Sequence, residues 1–174
     1  MTKTRLMTPD TKEPTLMVLF IRFFFLLLLT YSVGYIGGSF VTPEAMLWYD
    51  GLILSDFNPP DSWFGIAWAL LYFLMAFSAW IVWGRVTPRP FVLQLLFNLL
   101  WPFFFFHLKM PILALIDVIL MIVFVLCTII KFGRVSAVAG WLMIPLLLWS
   151  IFALYLNAIV VLYNTQVGVW FGII

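Results

Sequence analysis

Trp68, Tyr72 and Met75 stand at i, i+4 and i+7, so a helix through them carries all three on one face. Trp149 and Ala153 repeat the four-residue spacing further along, with Phe152 beside them. Gln94, Asn98 and Trp101, spaced four and three apart, also share one helical face. A tryptophan stripe at this spacing usually packs a core or faces lipid. Here the stripes come with polar handles: a phenol, a carboxamide and indole N–H groups. Large apolar rings with a few placed polar groups suit a pocket for a large, flat, mostly apolar ligand. Nothing in the chain resembles a catalytic dyad, a nucleophile with its base or a phosphate-cradling loop, so no catalytic residue is expected. If the protein does chemistry, Trp68 and Trp149 are the redox-competent candidates.

The remaining polar groups read less sharply. Asp117 is the only carboxylate deep in an apolar segment. It fits a carboxyl bonded to a neighbouring helix or kept wet near an interface; the alternative is a proton or ligand partner. Gln94 and Asn98 suit hydrogen bonds between helices better than ligand contact. Asn157 shares a face with Trp149 and Ala153. His107 has no Cys, Asp or Glu at ligand spacing, which argues against a metal site. Cys127 lies alone in an apolar run and reads as a small buried hydrophobe. No cofactor is implied.

The elements that must hold these residues are membrane spans. Of 174 residues, 66% are hydrophobic and only 9% charged, where soluble domains average about 25% charged. The net charge of +2 is too small and scattered for a nucleic-acid partner. A span needs about 20 apolar residues. Five stretches qualify, at roughly 16–38, 62–84, 88–108, 111–132 and 135–163. The expected fold is therefore an all-α integral membrane bundle of five transmembrane helices, between a polar tail (1–15) and an apolar one (164–174). Trp170 and Phe171 suggest that the second tail lies at the interface. Pro102 and Pro145 each remove a helix hydrogen bond and should kink or loosen a turn. Gly34 and Gly38 allow close helix approach, within one protomer rather than at a dimer seam.

The longest break between spans covers residues 39–61 and ends in Asn58-Pro59-Pro60-Asp61. Neither proline can donate a backbone N–H, and the residue before each is pushed out of the α region. Ser62 is then expected to cap the next helix. A loop of this length is more often functional than idle.

Lys3, Arg5, Lys12, Arg22, Arg85, Arg89, Lys131 and Arg134 fall on one side of the five spans, and Lys109 alone on the other. Eight against one predicts that side to be cytoplasmic. In a bacterium this places the protein in the inner membrane, with the N-terminus inside and the first loop and C-terminus outside.

Together these residues resemble the TspO/MBR family of translocator proteins. The resemblance rests on Trp48-Tyr49, Pro59-Pro60, Trp63-Phe64-Gly65, Trp68 and Leu71-Tyr72. Gln94-Leu95, Asn98, Trp101, Phe104-Phe105, Asp117, Pro145, Trp149, Phe152-Ala153, Leu156-Asn157 and Asn164 continue it, in order, through all five spans. It implies a five-helix bundle, commonly a homodimer, with an intrabundle cavity capped by the first loop. It implies porphyrins, haem precursors and related flat hydrophobic molecules as ligands. It also implies Tyr49, Trp68, Tyr72, Asn98, Trp101, Trp149, Phe152 and Ala153 as the cavity lining, with Asp117 a possible polar partner. Light-dependent porphyrin breakdown, with cavity tryptophans implicated, is reported for some bacterial members. Receptor or sensor is the reading favoured, with transporter the alternative; two related halves, or broken helices in corresponding places, are not visible. The chain departs from the pattern at Leu146, where the family often has Tyr after the proline, and at Phe57, where it often has Trp or Pro nearby. Tyr155 and Tyr163 lack the following Lys or Arg of the sterol-type pattern.

Overall fold

A computed structural model describes residues 14–164. Most of the polar N-terminal tail, and Trp170 and Phe171, lie outside the described residues. The elements are α1 (Leu16–Gly38), α2 (Pro43–Asp50), α3 (Asp61–Ile81), α4 (Arg89–Pro102) continuing as a π turn (Phe103–His107), α5 (Pro111–Gly133), α6 (Ala137–Leu142) and α7 (Ile144–Tyr163). Among the described residues there is no strand, and five helical lengths are long and apolar enough to cross a membrane. The protein is an all-α, multi-pass membrane bundle.

The helices close a ring. α1 packs on α3 and α4, α4 on α5, α5 on α6 and α7, and α6 returns to α3. Large apolar side chains such as Phe20, Phe24 and Leu28 point outward, because lipid tails solvate them as well as a core would. The end of the bundle away from the first loop is solid. Met75, Ala76, Val125 and Met143 are buried there, and Phe91 stacks on Phe132 with centroids 5.7 Å apart. Ser78 donates to the Ala139 carbonyl at 2.7 Å, tying α3 to α6. The Trp80 indole donates to the Leu19 carbonyl at 3.0 Å, tying α3 to α1. α6 crosses α5 at two glycines. A Cβ on Gly140 would lie 3.0 Å from the Gly133 Cα and 3.3 Å from the Ile129 carbonyl, backbone that cannot step aside.

Pro102 and Pro145 loosen their spans, as their missing N–H groups lead one to expect. The fifth span, Ala137–Tyr163, is divided into two helices with Met143 between them. Pro145 cannot donate an N–H, and the Met143 amide bonds instead to the Gly140 carbonyl in a tighter turn. The third span changes winding after Pro102. The Leu108 amide reaches back five residues to the Phe103 carbonyl at 2.9 Å. α3 begins at Asp61, one residue before the expected cap Ser62, with Pro60 in the capping position and no side-chain cap bond. The first loop contains a helix the sequence reading left out. Thr42 accepts from the Ala45 amide at 3.2 Å, Pro43 opens the helix and Glu44 sits in its first turn. Cys127 faces outward instead of into the core.

Candidate ligand-binding cavity

The loop end of the bundle is hollow. Its cavity has a volume of about 580 Å³, inside the range of roughly 300–1,000 Å³ typical of small-molecule sites. The C-terminal half of α1, the N-terminal half of α3, α4 with its π turn, Met121 of α5 and the C-terminal half of α7 form the walls. α2 and the Pro-rich segment after it form the roof.

α3 supplies a flat aromatic surface. Trp68 stacks on Tyr72, centroids 5.6 Å apart and planes 26° from parallel. The Tyr72 hydroxyl donates to Asn98 Oδ1 at 2.6 Å, locking α3 to α4 beneath the cavity. Gly34 makes room for that ring. A Cβ on Gly34 would sit 2.3 Å from Tyr72 Cε2, so its close approach lies within one protomer. Trp101 donates its indole N–H to Asn157 Oδ1 at 3.2 Å, and Asn157 donates to the Pro111 carbonyl at 2.9 Å. α4, α5 and α7 are thus held at one point on the wall.

The π turn changes what α4 presents. The missing Pro102 N–H loosens the helix, and Phe105 and Phe106 both reach the cavity wall. Phe105 is buried, stacked on Trp101 at 5.0 Å and edge-on to Trp48 and Tyr49. The roof rests on this cluster. Tyr49 donates to Asn58 Oδ1 at 3.0 Å, closing the roof on itself. Burial pushes the Tyr49 hydroxyl above its usual pKa. The bond to Asn58 opposes that shift, and the carboxylates of Asp61 and Asp50 add to it. Asn164 Oδ1 accepts from the Ile53 amide at 2.8 Å while its Nδ2 donates to the Ile53 carbonyl at 3.0 Å. Ser55 and the Tyr155 hydroxyl lie 3.1 Å apart. The roof is pinned to α7 at two places.

Of the residues singled out in the sequence, Tyr49, Trp68, Tyr72, Asn98, Trp101 and Ala153 lie on the cavity wall. Trp149 and Phe152 do not. Trp149 stands behind the wall, edge-on to Trp68 at 6.4 Å and to Phe64 at 5.9 Å, and Phe152 packs on Trp149. Asp117 is buried off the wall, and neither of its oxygens has a protein partner. The expected hydrogen bond to a neighbouring helix is not made. The donors on α4 point elsewhere: Gln94 to the Met75 sulfur and Asn98 to the Met121 sulfur, each at 3.7 Å. Sequence reasoning missed Tyr31, Gly34, Asn58, Phe105, Phe106 and Met121 as lining. For Gly34 the signal was present, since it lies on the stripe of small residues on α1.

The sequence pattern of the TspO/MBR family matches residues 25–162, the whole of this architecture except the first turns of α1 and the last residue of α7. The chain belongs to the TspO/MBR family. It is 34% identical over 134 residues to the tryptophan-rich protein TspO of Chlorobaculum tepidum, covering 72% of this chain and 85% of that one. It is 38% identical over 124 residues to the tryptophan-rich sensory protein of Cereibacter sphaeroides, 69% and 77% of the two chains. The human translocator protein is 32% identical over 136 residues, 72% and 80% of the two. The aromatic wall of α3 and the Asn98–Tyr72 bond both lie within the matched region.

Proposed function

We propose that this family member is a membrane receptor or sensor for porphyrins and related large, flat, hydrophobic ligands, held in the cavity under the first loop. The observation that carries the reading is the stacked Trp68–Tyr72 face on a mostly apolar cavity of about 580 Å³. A flat ring system laid on that face gains aromatic contact beyond simple burial. A roof already bonded within itself and to α7 loses little ordering entropy on closing over a ligand. Titration of the purified protein with protoporphyrin IX in the dark should quench tryptophan fluorescence and saturate at one ligand per chain. Quenching that rises linearly without saturating would refute the reading.

The distribution of Lys and Arg supports a cytoplasmic N-terminus and an external first loop in a bacterial inner membrane. Asp56 is exposed on that loop, so Asp56→Cys in a Cys127→Ser background should react with a membrane-impermeant thiol reagent on intact cells. Protection until the membrane is permeabilised would reverse the orientation. Family membership also supports a homodimer. Light scattering in detergent should return twice the chain mass of 20.2 kDa, and a monomer mass at micromolar concentration counts against it.

A further inference from the structure

The cavity is lopsided in charge. Its lining holds one ionisable carboxylate, Asp61, and among the described residues no Lys, Arg or His. Asp61 opens α3 at the roof end, and it is exposed there. Asp50 and Asp56 lie on the same loop. Both Asp61 and Asp50 act on the Tyr49 hydroxyl, so their field reaches into the roof. Several of the wall's donors are already engaged, which leaves the Trp68 indole and the Asn58 carboxamide N–H groups as the neutral donors a ligand can meet. The hydroxyls of Tyr31, Tyr49 and Tyr72 each donate to a protein oxygen already, as does the Trp101 indole. An anionic group arriving at the roof would meet like charge, and it would find these donors engaged.

We infer that Asp61 makes the cavity a charge filter, admitting flat hydrophobic ligands whose roof-side end is neutral or cationic and disfavouring those that present a carboxylate there. This rests on the ligand reading above and narrows it: within the porphyrin class, uncharged or amine-bearing forms bind ahead of the free diacid. Like charge is a means of rejection even at an exposed position, where solvent screening keeps the effect modest, and rejection is half of specificity. Asp61 also sits in the first turn of α3, where a carboxylate suits the free N–H groups. That second role stabilises the helix whatever the ligand, so ligand charge separates the two.

The test compares three probes: protoporphyrin IX, its dimethyl ester, and a derivative whose two acids are converted to amides ending in a primary amine. Each is titrated in the dark by tryptophan quenching against the parent, Asp61→Asn and the off-wall control Asp56→Asn. The ratio of parent to variant affinity for one probe cancels differences in detergent partitioning between probes. Asp61→Asn should raise affinity for the diacid about five- to tenfold and lower it for the amine by a similar factor. The ester should change less than about twofold, and Asp56→Asn should move no probe beyond that. Equal shifts for diacid and amine, or none, overturn the filter while leaving the ligand reading intact. Failure of all three probes to quench saturably in the parent overturns the ligand reading and the filter together.

Discussion

Replacing Ala153 with Phe abolishes saturable protoporphyrin IX binding, a loss of about a hundredfold or more, or roughly 2.8 kcal/mol. Ala153 is on the cavity wall, where a phenyl ring takes up ligand space while α7 keeps its helix-compatible side chain. Trp68→Ala should weaken binding about tenfold, since one aromatic pair contributes about 0.5–1.5 kcal/mol beyond burial and 1.4 kcal/mol is a factor of ten. Trp149→Ala should cost less than Trp68→Ala, because Trp149 touches Trp68 and not the cavity. Trp63→Ala should cost nothing, since Trp63 is exposed and off the wall. The Soret shift of bound porphyrin measures all four. An unchanged titration for Ala153→Phe would mean that the ligand sits elsewhere.

The second large effect is on stability. Asn157 is 1% exposed and joins α4 to α5 through the Trp101 indole and the Pro111 carbonyl. Asn157→Leu keeps the volume but strands the indole N–H, and an unsatisfied buried donor costs about 1–3 kcal/mol. Unfolding in detergent should therefore shift down by several degrees, at about 2–4 °C per kcal/mol for a domain of this size. Trp101→Phe in the same chain removes the stranded donor and should recover much of the loss. If the double variant is as unstable as the sum of the two single ones, the bond is not what holds these helices.

The spans were legible because a lipid solvent demands long apolar runs, and five of them stand out in composition alone. The α3 face was legible because Trp68 and Tyr72 are one helical turn apart. What spacing does not give is depth. Trp149 and Ala153 share a face of α7, yet Ala153 meets the cavity and Trp149 stands behind Trp68. Helical period fixes which residues go together, while the rotation of α7 against α3 is set by packing between helices. The same limit hid Tyr31 and Gly34, whose place depends on how closely α1 approaches Tyr72. Pro102 was read as loosening its helix. The π winding that carries Phe105 and Phe106 to the wall depends on which carbonyl the Leu108 amide then finds. In the first loop, Thr42, Pro43 and Glu44 together signal a helix start; it was overlooked because an eight-residue helix is too short to span.

The most direct test of the cavity as a receptor site is a crystal structure of the complex with protoporphyrin IX dimethyl ester, a neutral form with no carboxylate to meet Asp61. The porphyrin plane should lie on Trp68 and Tyr72, with Ala153 opposite and Tyr49 above. A porphyrin found instead on the outward face of α1, against Phe20 and Phe24, with the cavity unfilled, would contradict the account.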